Sequence, residues 1–265
     1  MILKGKRGLI MGVANDKSIA WGIAKACAAQ GAELGFTYQG EVFKKRVEPL
    51  VASIGGSKVI VECDVTNESA IDTTFAEIKK LWGNFDFLVH AVAYSNKEEL
   101  KGRYCDTTLE NFLNSMHISC YSFTSVARRA AAMMPKGGSM LTLSYIGSER
   151  VIPNYNVMGV AKAALEASVR YLAGDFGANN IRVHGLSAGP MKTLAGSAIA
   201  NARYTFRTAE QTAALNRSVT LEDIGNTAVY LLSDMSSGTS GEMHYVDAGF
   251  RCMGMLPPGR IAAET

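Results

Sequence analysis

Short apolar runs alternate with longer amphipathic ones along this chain, and that alternation predicts its elements. Gly8–Val13 is nearly all apolar and reads as a first strand. Ser18–Gln30 has helical periodicity, with Gly31 just past its end as a stop signal. Ala32–Tyr38 is predicted as a second strand and Glu41–Ile54 as a helix stopped by Gly55 and Gly56. A strand at Lys58–Cys63, a helix at Glu68–Trp82 and a strand at Phe85–Val92 follow. Leu109–Met134 is a long helical stretch ending at Pro135, and Ser139–Ser144 is a fifth strand. Then come a helix at Asn154–Phe176, a strand at Ile181–Ser187, a helix at Thr220–Asp234 and a strand at Glu242–Val246. Strict alternation of this kind predicts βαβ units and a parallel sheet with helices on both faces. Two such halves make a doubly wound, Rossmann-type α/β fold of three layers.

At 265 residues the chain reads as a single domain, 1–265. No repeat, low-complexity tract or linker interrupts it. One region, Gly189–Asn216, breaks the rhythm. It is rich in small residues and is either a surface loop with a short helix or a lid over the carboxyl ends of the strands. A segment this long between strand and helix favours the lid, which is placed at about 189–216.

Composition narrows the function classes. The chain is 48% hydrophobic and 19% charged, with a net charge of +3. That excess is too small to suggest nucleic acid or membrane binding. No apolar run reaches membrane-spanning length, and the start, Met1–Arg7, lacks the apolar stretch of a signal peptide. The five cysteines are scattered and odd in number, which argues against disulfides or a zinc site and fits a reducing cytoplasm. Each is read as a small buried hydrophobe. The four histidines are scattered too, and none is given a catalytic or metal role.

The turn after the first strand, Gly12–Gly22, carries features a pyrophosphate needs: a tight turn, close backbone approach and a helix N-terminus. Gly12 and Ala14 permit the turn, Ser18 is placed to cap the helix and reach phosphate, and Gly22 to let the helix approach the sheet. Alone, the spacing is no better than that of an ordinary glycine-containing turn. Later residues strengthen it. Tyr38-Gln39-Gly40 ends the second strand where an adenosine ribose would lie, and the Gln39 amide can hold a 2′-hydroxyl. No Arg or Lys follows at once to take a 2′-phosphate, which favours NADH. Asp64 and Val65 close the third strand, suited to an adenine amino group and ring face, although Asp64 is equally placed to cap the next helix. The small residues after His90 let the backbone pass beneath a cofactor.

Tyr145, Tyr155 and Lys162 lie just past the fifth strand. On a helix Tyr155 and Lys162, seven residues apart, would share a face. A commoner oxidoreductase pattern, Tyr-x-x-x-Lys, would put its tyrosine at Met158.

Leu141–Lys162, together with the Gly12–Gly22 turn, Phe36–Gln39, Cys63–Val65 and Ser187–Pro190, resembles the NADH-dependent enoyl-(acyl-carrier-protein) reductases of bacterial fatty-acid synthesis, within the short-chain dehydrogenase/reductase superfamily. The resemblance covers nearly the whole chain. It implies hydride transfer from NADH to the β-carbon of a trans-2-enoyl thioester, leaving enolate-like charge on the thioester oxygen. It makes Tyr155 the donor to that charge, Lys162 the residue that holds the nicotinamide ribose and favours negative charge near Tyr155, and Tyr145 a second catalytic-site tyrosine that positions the substrate or relays a proton. It implies cofactor contacts at Gly12, Ser18, Ile19, Gln39, Asp64, Val65, Val92, Met191, Lys192, Thr193, Leu194 and Ala195. It puts Ser95 on the substrate side, with Met158, Ala195 and Ile199 lining an acyl pocket. It further implies an acyl carrier protein as partner and a homotetramer whose faces are the two longest helical stretches.

The chain departs from the family at Ala93, usually glycine, where an added methyl narrows the space beside the nicotinamide. The family's basic docking patch is thinner here: Arg203 matches one member, Ala200 and Tyr204 replace others, and Arg207 lies one turn on. Two alternatives compete. A 3-oxoacyl or other carbonyl reductase would need a tyrosine at Met158 and a serine where Tyr145 stands. A non-catalytic dinucleotide sensor would keep Gly12 but have no use for Tyr145, Tyr155 and Lys162 together.

Overall fold

The computed structural model describes residues 1–199 and 201–256. β1 (Arg7–Met11) leads to α1 (Ile19–Ala29), β2 (Glu33–Tyr38) to α2 (Gly40–Ser53) and β3 (Ile60–Glu62) to α3 (Glu68–Trp82). β4 (Phe87–His90) is followed by α4 (Leu109–Met116), a π-helical turn at His117–Tyr121, and α5 (Ser122–Ala131). β5 (Gly138–Ser144) precedes α6 (Val157–Gly177). β6 (Ile181–Ala188) precedes α7 (Leu194–Ala198), α8 (Ala202–Thr212) and α9 (Leu221–Leu232), and β7 (Met243–Val246) follows.

The strands form one parallel sheet in the order β3-β2-β1-β4-β5-β6-β7. Both faces are covered, so the strand interiors are continuous apolar runs rather than alternating ones. On one face Phe75, Phe123, Val126, Leu165 and Val169 of α3, α5 and α6 pack on the sheet. On the other, Trp21, Ile23, Val47, Val51, Ile224 and Leu231 of α1, α2 and α9 do so. The doubly wound, three-layer, single-domain architecture is the one the alternation predicts. Strand order reverses between β1 and β4, which opens a crevice above their carboxyl ends.

Several local expectations are corrected. Gly22 does not serve helix–sheet packing: a Cβ there would lie 2.9 Å from Leu221 Cβ. Its partner is α9, where a Cβ on Gly225 would come within 2.7 Å of Ala26 Cβ. The long helix after β4 contains a π-helical turn and ends at Ala131, not Met134. The helix bearing Lys162 begins at Val157, not Asn154. Asn154 and Asn156 have φ of 61° and 39°, a conformation that asparagine tolerates and a helix does not. The 189–216 segment holds two helices, α7 and α8, with Asn201 at φ 59° beginning the second. Ala200 and the side chain of Ala195 lie outside what is described. All five cysteines are free, but only Cys27, Cys63 and Cys120 are buried; Cys105 and Cys252 are exposed. Among the described residues no helix is long and apolar enough to cross a membrane.

Candidate active site

The crevice between β1 and β4 is built by Gly12. Its φ is 97°, and a Cβ would fall 2.1 Å from the Ala91 carbonyl oxygen. Only glycine lets the two strand ends approach this closely. Ser18 then orders the loop. Its Oγ accepts the amides of Ala14 and Asn15, each at 3.0 Å. Ser18 occupies the N-cap position of α1 but makes no side-chain cap bond, so the expected cap is absent. The first-turn amides of α1 are thus not engaged by that hydroxyl. Asn15 and Lys17, with Lys192, Thr193 and Arg203 from the segment after β6, line a cleft of about 690 Å³. Three cations around a cleft at a helix N-terminus suit a pyrophosphate. Ile19 and Val92 are half-buried near the two strand ends. The donor set and the close strand approach fit a dinucleotide.

The adenosine corner lies at the ends of β2 and β3. Gln39 is exposed and directs its side chain to Asp64. Asp64 does not cap α3; Asn67 does, accepting from the amides of Ser69 and Ala70. Asp64 instead accepts from the amide and hydroxyl of Thr66, at 2.9 and 2.7 Å. Partial burial opposes its ionisation, yet these bonds and the one to Gln39 hold its pKa below the ordinary carboxylate value. Val65 is buried beside it.

At the end of β5, two consecutive residues are tied to α6 and the next, Tyr145, to the turn before it. The Leu143 carbonyl accepts from Lys162 Nζ at 2.7 Å. The Ser144 hydroxyl donates to Glu166. Tyr145 meets Tyr155 edge to face, ring centroids 4.9 Å apart at 73°. Tyr155 lies in the turn before α6 rather than on it, so the two-turn helical face shared with Lys162 does not exist. The residues still gather around the end of β5, because Lys162 bonds Leu143 and the Tyr155 ring meets Tyr145 and Gly147 just beyond the strand.

Burial sets the electrostatics. It pushes Tyr145 up to about 12 and Tyr155 further still, with Tyr145 and Glu166 adding to the Tyr155 shift. Both phenols therefore stay protonated and able to donate. Burial pushes Lys162 down to about 8 against the opposing pull of Cys120 and Glu166.

Two contributors were not picked out in the sequence. Glu166 is buried one helical turn past Lys162, and the Lys-x-x-x-Glu spacing was the available signal. Gly147 supports the Tyr155 ring: a Cβ there would sit 2.4 Å from Tyr155 Cδ1. We expect Gly147→Ala to displace that ring and slow turnover by about tenfold to a hundredfold. NADH affinity should hold, and an unchanged steady-state rate would show that the ring tolerates the shift.

On the substrate side the structure gathers Tyr145, Tyr155, Met158 and Ile199 into one apolar cluster with Leu100 and Phe112. Ser95 stands on the loop after β4. That loop is held by a polar stripe spaced four residues apart: Asn111 and Ser115 bond Ser95, and Ser119 bonds Tyr94. Thr193 caps α7 through the Gly196 amide, with Met191 and Leu194 flanking it and Leu194 on the cleft wall. Arg203 and Arg207 are both exposed on α8. His90 and His184 are buried, which pushes both down to about 3 and keeps them neutral. Among the described residues no cluster of three or more His, Cys, Asp or Glu is placed to hold a metal.

A parallel sheet in this order, with a tyrosine and a lysine buried past its fifth strand, defines an oxidoreductase of the short-chain dehydrogenase/reductase class. A family model described as enoyl-(acyl carrier protein) reductase matches residues 12–251. The chain belongs to that family. The enoyl-(acyl-carrier-protein) reductase (NADH) 2 of Rhizobium meliloti is 58% identical over 254 residues, 96% of this chain and 94% of its own. The crystal structure of the reductase from Anaplasma phagocytophilum in complex with NAD is 56% identical, with a TM-score of 0.94 over 97% of this chain and 98% of that one. The Bacillus cereus reductase, solved with NADP+ and an indole naphthyridinone, is 45% identical, with a TM-score of 0.93 over 96% and 99%.

Proposed function

We infer that this chain reduces the carbon–carbon double bond of a trans-2-enoyl-(acyl carrier protein) with NADH, the last reductive step of the fatty-acid elongation cycle. When bound, NADH supplies a hydride to the β-carbon. The chain's residues bind, orient and stabilise. Gly12, Ser18, Ile19, Val92 and the run Met191–Ala195 would hold the pyrophosphate and nicotinamide; Gln39, Asp64 and Val65 would hold the adenosine. Lys162, anchored on Leu143, would hold the nicotinamide ribose.

The observation that carries the reading is the pair of neutral phenols, Tyr155 buried and Tyr145 half-buried, that meet edge to face in one cluster with Met158. A carbonyl reductase needs a proton donor at 158. Met158 is buried there and offers only a thioether, 3.7 Å from the Ser119 hydroxyl. Tyr155 would instead donate to the charge that develops on the thioester oxygen, where such a donor acts most strongly. Tyr145 would position the thioester. Ser95, Met158, Ala195 and Ile199 would take the rest of the substrate, the apolar members excluding water from the hydride. The segment 189–216 would serve as the lid. The assay is NADH oxidation with crotonyl-CoA against acetoacetyl-CoA. Turnover of the enoyl thioester alone supports the reading; turnover of the 3-oxo thioester alone overturns it.

Lys162→Ala should weaken NADH binding by about tenfold or more, the cost of a charge-assisted hydrogen bond, and slow reduction as well. The lysine also predicts a pH dependence. Its charge is present below about 8 and lost above it. NADH affinity of the parent should therefore fall as pH rises through that value, and in Lys162→Ala it should not. Equal affinity in the two proteins would remove the ribose role.

The partners follow from surface chemistry. Arg203 and Arg207 would attract an acidic carrier, so raising salt should increase KM for carrier-bound substrate more than for a CoA thioester. Leu109, Leu113 and Tyr171, respectively 73%, 58% and 79% exposed on α4 and α6, are large apolar groups without cover in the single chain. They support a homotetramer, and a monomer by light scattering would exclude it. A cytoplasmic location fits the free cysteines, and cell fractionation would test it.

A further inference from the structure

The corner where the adenosine ribose would lie contains a bond that the sequence did not disclose. Glu62, the last residue of β3, pairs in register with Tyr38, the last residue of β2. Its Oε1 accepts the Gly40 amide at 3.1 Å. Gly40 is the first residue of α2, and a first-turn amide has no partner within its own helix. Such an amide is a ready donor to an anion. Here the chain's own carboxylate has taken it.

The other groups nearby are committed in the same sense. Gln39 directs its side chain to Asp64. Lys44, on the first turns of α2, is paired with Glu41 at 3.4 Å and lies 5.8 Å above the Tyr38 ring. Arg46 lies over Phe43 at 5.7 Å. Tyr38 reports the balance. Burial raises its pKa first and Lys44 opposes, but Glu62, Glu41 and Glu48 all push it further up. Three carboxylates thus face this corner beside the Lys44 cation.

NADH and NADPH differ here alone. A 2′-hydroxyl can donate to a carboxylate; a 2′-phosphate needs donors and cations and carries up to two charges. The fold does not decide between them, since the Bacillus cereus relative was solved with NADP+. We propose that Glu62 is the residue that excludes the 2′-phosphate, by occupying the Gly40 amide with a carboxylate at the position the phosphate would need. The inference rests on the dinucleotide reading above and refines it.

Glu62 is exposed, so its replacement should leave the core intact. Glu62→Gln keeps an oxygen for the Gly40 amide and removes only the charge; Glu62→Ala frees the amide as well. Dissociation constants for NADH and NADPH would be taken from nicotinamide fluorescence, without substrate. We expect Glu62→Gln to tighten NADPH binding about tenfold, as removal of a like charge a few ångströms away should, and to change NADH binding less than about twofold. Glu62→Ala should tighten NADPH binding further, and the gains should shrink in high salt. A ratio of the two constants that is the same in parent and variants overturns the role of Glu62 while the NADH reading stands. A parent that binds neither dinucleotide overturns both.

Discussion

Tyr155→Phe should bind NADH like the parent and reduce enoyl thioesters about 10²–10³-fold more slowly, the usual cost of losing one donor at a developing oxyanion. The variant keeps the ring. Contacts with Tyr145 and Gly147 are made by ring carbons, so the site should retain its shape. What disappears is one hydroxyl that burial holds protonated. The loss should fall on kcat, because a donor that acts on charge present only in the transition state contributes little to ground-state binding. Single-turnover rates and an NADH titration on the same sample would separate the two. A full-speed variant would transfer the donor role to Tyr145, also neutral and 4.9 Å away by ring centroid.

Gly12→Ala should abolish useful cofactor binding while leaving the sheet folded. A residue with a Cβ at φ 97° carries backbone strain of about 1–3 kcal/mol. The same Cβ would overlap the Ala91 carbonyl, so β1 and β4 would have to part at the crevice itself. Together these predict an NADH affinity lower on the order of a hundredfold, read by fluorescence titration, with an unaltered far-ultraviolet circular dichroism spectrum. Near-parental affinity would show that the crevice is looser than its contacts indicate.

The parts of this molecule that the chain announced are those governed by periodicity and burial. Runs such as Leu9–Met11 and Met140–Leu143 can satisfy both faces of a parallel sheet and little else, so strand positions and the three-layer arrangement were legible. Of the residues that family motifs point to, Tyr145, Met158 and Ile199 share one cluster, and Lys162 reaches the end of β5. What escaped was set by backbone sign and by distant partners. Nothing in the spacing of Tyr155 and Lys162 shows that two left-handed asparagines delay the helix to Val157. The role of Gly22 depends on Leu221, and that of Ser18 on amides behind it. The bond between Glu62 and Gly40 joins strand ends that no local pattern connects. The π-helical turn at His117–Tyr121 gives no signal in the hydrophobic pattern.

The glycine contact between α1 and α9 bears on how the protein is made. α1 supports the Gly12 turn and leaves the ribosome well before α9. The helix it packs against, through Gly22 and Gly225, emerges about 200 residues later. At ordinary synthesis rates of about 5–20 residues per second, that is a wait on the order of 10–40 s. During it the apolar flank of α1, with Ile23 and Trp21, has no partner from α9. The nascent chain is thus exposed to aggregation and to chaperone capture in the interval between α1 and α9, and a premature stop before Leu221 leaves the cofactor turn without its support.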